Sequence, residues 1–193
     1  MQRPGMIETM KQPDGVSLQQ HSSGCTHPTP MDQKSVEITS MAMEDLDEIL
    51  AIENSSFPKP WSRDVLAREL QIPISRNLVA KIRKDGHSEI AGYVTYWIIA
   101  GELQVHKIAV REDLRRSGIA SRLMAEMIRV SPGEGVVMCS LEVGRSNEGA
   151  KRLYEKFGFE VTDIRANYYA EAGDDALILC ADMKKCLQLI RKE

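Results

Sequence analysis

Residues 108–120, Ile108-Ala109-Val110-Arg111-Glu112-Asp113-Leu114-Arg115-Arg116-Ser117-Gly118-Ile119-Ala120, pass from an apolar strand pattern through a polar turn into a helix pattern with glycine near its start. That order builds an anion site. The first N–H groups of a helix lack partners within it, the positive end of the dipole lies there, and small residues let a ligand approach the backbone. Arg115 and Arg116 add charge suited to a pyrophosphate. The P-loop pattern G-x-x-x-x-G-K followed by Ser or Thr is absent, as is the dinucleotide fingerprint G-x-G-x-x-G. A solvated arginine pair beside a glycine fits the same short segment, so the segment alone leaves both readings open. A second candidate is Glu142: Val137, Cys139, Leu141 and Val143 alternate onto one face of a strand, and Ser140 and Glu142 fall on the other. A carboxylate on an otherwise apolar strand stands out as a candidate functional residue, although a glutamate in solvent or in a salt bridge would read the same.

The surroundings narrow the choice. Arg115-Arg116-Ser117-Gly118-Ile119-Ala120 fits the pyrophosphate loop of the GNAT acetyltransferases, in which Gln or Arg is followed three residues later by Gly and two further on by Gly or Ala. Leu141-Glu142-Val143-Gly144-Arg145-Ser146-Asn147, Leu153-Tyr154-Glu155, Gly158-Phe159, Asn167-Tyr168-Tyr169, Asp175-Ala176-Leu177 and Phe57-Pro58-Lys59-Pro60-Trp61-Ser62 resemble the ribosomal-protein alanine N-acetyltransferases of the RimI type. The likeness covers about residues 35–183. It implies acetyl-CoA as co-substrate, no metal, and an acceptor at a protein N-terminus, the alanine of small-subunit ribosomal protein number eighteen. It further implies that main-chain groups of Ile108, Ala109 and Val110 hold the pantetheine arm, that Arg115 to Ala120 hold the diphosphate, and that Asn147 contacts the cofactor. Glu142 would be the general base and Tyr154 the general acid, with Trp61, Tyr168 and Tyr169 lining the peptide groove. Two positions depart from the pattern: Gly144 stands where relatives often carry arginine, and Ala170 where proline is common.

The chemistry asks for such groups on its own account. Acetyl transfer needs an uncharged amine and a proton for the departing thiolate. A peptide α-amine titrates near pKa 8 and lysine near 10.4, so an α-amine needs only modest base assistance, which a glutamate can give directly or through water. The thiol, near 8.5 by analogy with cysteine, leaves more readily beside a donor such as Tyr154. A tyrosine at helical spacing also packs in cores, and Trp61 among prolines also makes a packed loop. Glu53, Glu102, Asp174 and Asp175 are candidates for negative charge near the groove, facing a basic acceptor peptide.

Positioning these residues requires a particular order of elements. Val36 and Ile38 alternate as a short strand. A helix over 43–54 follows, with Leu46, Ile49 and Leu50 on one face, until Pro58 and Pro60 interrupt it. Ser62 caps a second helix carrying Val65, Leu66 and Leu70. Strands are expected over 77–83, 90–100 and 102–110, joined by Lys84-Asp85-Gly86 and Ala100-Gly101. Then come a helix over 117–130 ended by Ser131-Pro132-Gly133, a buried strand over 136–143, and a helix over 147–157 closed by Gly158. Strands over 159–169 and 176–183 complete a βααβββαβαββ order. The expected class is α/β (α+β), a GNAT fold with a mixed, mostly antiparallel sheet flanked by four helices.

With 193 residues, 42% hydrophobic and 27% charged, the chain suits one soluble domain with a substantial core. The expected division is a flexible tail over 1–34, a domain over 35–183 and a C-terminal tail over 184–193. A net charge of −3 argues against direct nucleic-acid binding. No apolar leader or membrane-length run is seen, and Cys25, Cys139, Cys180 and Cys186 form no C-x-x-C pair, which together suggest a cytoplasmic protein with reduced thiols. His21, Cys25 and His27 make a poor metal site on a floppy segment, and Met31 is an alternative start. Two other functions compete: a GNAT acting on lysine or a small amine, and an acyl-CoA-binding regulator without turnover.

Overall fold

The alternation at Val36 and Ile38 forms strand β1 (Val36–Ser40), and the chain continues through α1 (Leu46–Ser56), α2 (Arg63–Glu69), β2 (Ser75–Lys84), β3 (His87–Ile99) and β4 (Glu102–Val110). It then forms α3 (Ile119–Val130), β5 (Met138–Gly144), α4 (Glu148–Lys156), β6 (Glu160–Tyr169), β7 (Asp174–Asp182) and α5 (Met183–Ile190). This computed structural model describes residues 36–84, 86–169 and 173–191. The expected tail over 1–34, with His21, Cys25 and His27, lies outside the described residues. Up to β7 the order is the expected βααβββαβαββ. A fifth helix follows where the sequence reading ends the domain: Asp182 caps it by accepting the Lys185 N–H at 3.1 Å, and Met183 and Cys186 are buried.

Local signals explain where the elements start and stop. Ser62 accepts the Val65 N–H at 3.3 Å, as an N-cap should. Phe57, which precedes a proline, leaves α1 in an extended conformation. Helix α3 starts at Ile119, two residues later than its apolar pattern suggests, because Gly118 before it is left-handed at φ +88°. Asn147 caps α4 by accepting the Ala150 N–H at 3.1 Å.

The strands make one seven-stranded sheet in the order β1-β2-β3-β4-β5-β7-β6, with β4 and β5 parallel and every other neighbour antiparallel. Helices cover both faces. Leu46, Ile49 and Ile52 of α1, Phe57 just after it, and Leu66 of α2 pack with Val79, Tyr93 and Ala109 on one face. Leu123, Met127 and Ile128 of α3, Tyr154 and Phe157, and Met183 and Cys186 of α5 pack with Val105, Ile108, Leu141 and Val143 on the other. Two sheet irregularities matter for function. The β3–β4 ladder shifts register between Thr95 and Tyr96, which pairs Thr95 with Lys107 and Tyr96 with Val105, and leaves His106 as the extra residue of a bulge. The parallel β4–β5 ladder runs only from Glu102–Met138 to Val105–Leu141, although β4 continues to Val110 and β5 to Gly144.

Candidate active site

Past Val105 and Leu141 the two parallel strands therefore separate into a wedge. One edge of β4 over 106–110 has no strand beside it there among the described residues, and such an edge is a template for an extended ligand. Ile108 and Val110 point to the α3 and α4 side, where they line a cavity of about 310 Å³. Ala109 points the other way into the α1 cluster, so only its main chain can serve a ligand in the wedge.

The rest of the cavity wall comes from the turn before α3 and from α4. Leu114, Arg115, Arg116, Gly118, Ile119, Ala120 and Ser121 contribute from the first, and Asn147, Gly149, Ala150, Leu153 and Tyr154 from the second. The turn holds left-handed backbone at Arg116, φ +64°, and at Gly118, φ +88°. The first α-helical bond of α3 is Arg122 N–H to Gly118 C=O at 3.1 Å, so the N–H groups of Ile119, Ala120 and Ser121 precede the helical ladder and face an anion at its end. The Arg115 side chain folds back, with Nε 3.4 Å from the Val110 carbonyl and Nη2 3.3 Å from Ser56 Oγ. Ser117 is absent from the cavity wall: its hydroxyl donates to the Leu114 carbonyl at 2.5 Å and ties the turn together. Of the ten residues expected to hold the cofactor, Ile108, Val110, Arg115, Arg116, Gly118, Ile119, Ala120 and Asn147 meet at this cavity.

Tyr154 meets them there too. It is 1% exposed, its ring packs on Phe159 at a centroid distance of 6.0 Å, and burial pushes its pKa well above the ordinary tyrosine value. The phenol is thus protonated throughout the neutral range. Asn147 spends Oδ1 on its own helix cap, which leaves Nδ2 as the group it can offer a ligand.

Glu142 sits apart from that wall. It is the first residue of β5 after the ladder with β4 ends, and its side chain lies on the sheet face covered by α1 and α2. It is 1% exposed and forms an ion pair with Arg165, Nη1 to Oε1 at 2.7 Å. The salt bridge foreseen as the ordinary role of such a glutamate exists, but it is a nearly buried one at the mouth of the wedge.

The expected acceptor residues divide. Trp61 is half-buried against the α1–α2 cluster. Tyr168 is 41% exposed beside Arg165, whose Cζ is 5.7 Å from the ring centroid. Tyr169 pairs with Asp174 in the β6–β7 ladder.

The four acidic residues each have a partner within the fold. Glu53 is fully buried and bonded: it takes the Tyr93 hydroxyl, the Lys107 ammonium at 3.0 Å and the Trp61 N–H at 3.3 Å. Glu102 accepts from Ser140 at the far end of β4, eight residues from Val110 and so about 26 Å away along the strand. Asp174 accepts from Ser146 at 2.8 Å, and Asp175 pairs with Arg145 at 3.2 Å. Each of these carboxylates is used for local structure.

Sequence reasoning missed three features. Ser121 and Ala150 line the cavity, and their signal was position, the third residue of α3 and the face of α4 shared with Asn147 and Tyr154. Lys107 is 1% exposed, 4.0 Å from the Phe57 ring centroid and 4.9 Å from that of Trp61. Nothing in a lysine between histidine and isoleucine announces such burial. His106 is 2% exposed, stacks on Trp97 at 4.5 Å, and has no hydrogen-bond partner for either ring nitrogen among the described residues; desolvation lowers its pKa to about 4.

Known proteins resemble this chain in sequence and in fold. The sequence model of the acetyltransferase (GNAT) family matches residues 46–159. The chain is 31% identical over 144 residues to the ribosomal protein bS18-alanine N-acetyltransferase of Escherichia coli, covering 74% of this chain and 94% of that protein. It is 38% identical over 143 residues to a Bacillus subtilis protein provisionally named for the same activity, covering 74% and 92%. The crystal structure of the ribosomal-protein-S18-alanine N-acetyltransferase from Escherichia coli aligns with a TM-score of 0.69 at 29% identity, over 77% of this chain and 94% of that one.

Proposed function

Because the chain belongs to the GNAT family of acetyltransferases, we propose that it moves the acetyl group of acetyl-CoA to a protein N-terminal α-amine, that of the alanine opening ribosomal protein bS18. The observation that carries this reading is the wedge between β4 and β5, with an anion-binding helix start and Tyr154 on one side and Glu142 on the other.

The donor set fits coenzyme A. Arg115, Arg116 and the N–H groups of Ile119, Ala120 and Ser121 hold the diphosphate, while the free edge of β4 hydrogen-bonds the amides of the pantetheine arm. The thioester then lies in the wedge, within reach of an amine entering from the α1–α2 side. The amine nitrogen bonds to the carbonyl carbon, the C–S bond breaks, and Glu142 takes the surplus proton from nitrogen.

Tyr154 acts at the other end of the reaction. Tyrosine is a weaker acid than a thiol, near 10 against about 8.5, and burial weakens it further. Full proton transfer from Tyr154 to the thiolate is therefore uphill. Its hydroxyl helps by donating a hydrogen bond to the sulfur as charge develops there, which favours the transition state over the thioester.

Magnitudes favour an α-amine acceptor. At pH 7.5 about a quarter of a peptide α-amine is neutral but only about a thousandth of a lysine amine, from reference values near 8 and 10.4. One glutamate suffices for the former. The test is a panel of peptides beginning with alanine, serine or methionine, with an N-terminally blocked peptide carrying an internal lysine. Alanine at the start should give the highest kcat/KM and the blocked peptide none; equal rates on the blocked peptide would refute the reading.

A further inference from the structure

Arg165 was singled out by no sequence pattern, yet it touches the candidate base. Its route there is unusual, since β7 lies between β6 and β5. Arg165 faces Ala176 across the β6–β7 ladder, and Ala176 faces Gly144 across the β7–β5 ladder. Directly paired residues share a sheet face, so Arg165, Ala176 and Gly144 form one row, and Glu142 with Ile178 forms the next row on the same face. The two outer strands of that trio are about 9.6 Å apart, two strand spacings. Alanine and glycine leave a low corridor over β7 through which only a long side chain such as arginine can reach. Arg165 lies along it and ends with Nη1 2.7 Å from Glu142 Oε1.

The same guanidinium carries a second contact. Strand β6 loses its regular pairing between Arg165 and Tyr169, with Asn167 in a left-handed conformation at φ +55° and its N–H bonded to Asp175 Oδ1 at 2.9 Å. That irregularity brings Tyr168 back over Arg165, 5.7 Å from ring centroid to Cζ. One side chain thus joins a nearly buried carboxylate to an exposed aromatic at the acceptor end of the wedge. The side chain of Arg165 is itself 39% exposed, so solvent and an incoming peptide can reach it.

We propose that Arg165 is a positioning residue for the acyl transfer, acting through Glu142: its guanidinium aims the carboxylate at the wedge. The proposal rests on Glu142 being the base. A carboxylate that has lost this contact is held less firmly in the orientation that faces the wedge. Guanidinium also has the planar geometry to hold a carboxylate in one orientation, which a shorter or neutral side chain lacks. Tyr168, stacked on the outer side, limits the freedom of the guanidinium.

A double-mutant cycle on the full chain tests this, because a group acting through Glu142 has nothing left to act on once Glu142 is gone. Steady-state rates with acetyl-CoA and an alanine-initiated peptide are measured for Glu142→Gln, Arg165→Ala, Arg165→Lys and the Glu142→Gln/Arg165→Ala pair. Arg165→Ala should lower kcat about tenfold to a hundredfold, as expected when a charge-assisted contact to a base is removed, with the KM for acetyl-CoA within about twofold. Arg165→Lys should recover part of the loss, and Arg165→Ala should recover with low millimolar guanidinium chloride. The pair should be no slower than Glu142→Gln alone. Losses that multiply in the pair, or an Arg165→Ala rate equal to wild type, overturn the proposal. A wild-type rate in Glu142→Gln instead removes the base assignment, a separate outcome read from a single variant.

Discussion

Replacing Lys107 with methionine tests whether the ion pair beneath the α1–α2 loop organises that loop. Lys107 is 1% exposed and Glu53 fully buried, with Nζ 3.0 Å from Oε2. Methionine keeps most of the apolar stem against Phe57 and Trp61 but removes the charge. Breaking a buried pair on one side costs about 3–5 kcal/mol, because the remaining ion stays in a medium that solvates it badly. Glu53 retains the Tyr93 hydroxyl and the Trp61 N–H, which places the cost near the lower end, and the lost cation–π contacts add roughly 1 kcal/mol. A total of about 3–4 kcal/mol corresponds to a fall in Tm of roughly 10 °C for a domain of this size. Thermal and urea unfolding followed by circular dichroism measures it. Adding Glu53→Gln to Lys107→Met should return about 2 kcal/mol, since the uncompensated charge is then gone. A Lys107→Met protein within 1 kcal/mol of wild type, or a double variant no more stable than the single, would refute the reasoning.

Two further outcomes follow from buried titratable groups. Tyr154→Phe should lower kcat about tenfold to a thousandfold while leaving the KM for acetyl-CoA nearly unchanged, because the hydroxyl acts on charge that develops only in the transition state. Since burial holds the phenol protonated, the wild-type kcat should show no alkaline fall from tyrosine ionisation up to pH 10, readable in a pH–rate profile. His106 has a pKa near 4 when folded and near 6.5 when unfolded, so the unfolded chain binds the extra proton. Its contribution is complete above about pH 6.5 and fades as pH falls towards 4, a loss of about 2 kcal/mol between pH 7.5 and 5 that urea midpoints at those two values should reveal, and that His106→Phe should flatten while keeping the stack on Trp97.

What the sequence disclosed was local. Ser62 and Asn147 announce their helices because a cap is a contact within three residues, and Gly118 marks the start of α3 because few other residues adopt its left-handed backbone. The same holds for Asn147 and Tyr154, which one face of α4 must bring together. What it concealed was pairing over long distance. The wedge depends on where the β4–β5 ladder stops, and neither strand carries a residue that specifies Val105–Leu141 as the last pair. Lys107 and Glu53 are 54 residues apart and read as surface charges until the fold joins them. Arg165 needs the small residues Gly144 and Ala176 in register before it can reach Glu142, and that alignment is a property of two ladders at once. Helix α5 had a signal in Met183, Cys186 and Ile190, spaced as a buried helical face, but it lies beyond the stretch covered by the family likeness.

The claim on which the account depends is that the turn opening α3 grips the diphosphate of coenzyme A. Calorimetric titration of acetyl-CoA into the wild type and into Arg115→Ala/Arg116→Ala measures this directly. Saturable one-to-one binding by the wild type, weakened at least about tenfold in the double variant and less sensitive to salt, is the predicted result. Equal affinity in the two proteins, or no binding by either, would contradict it.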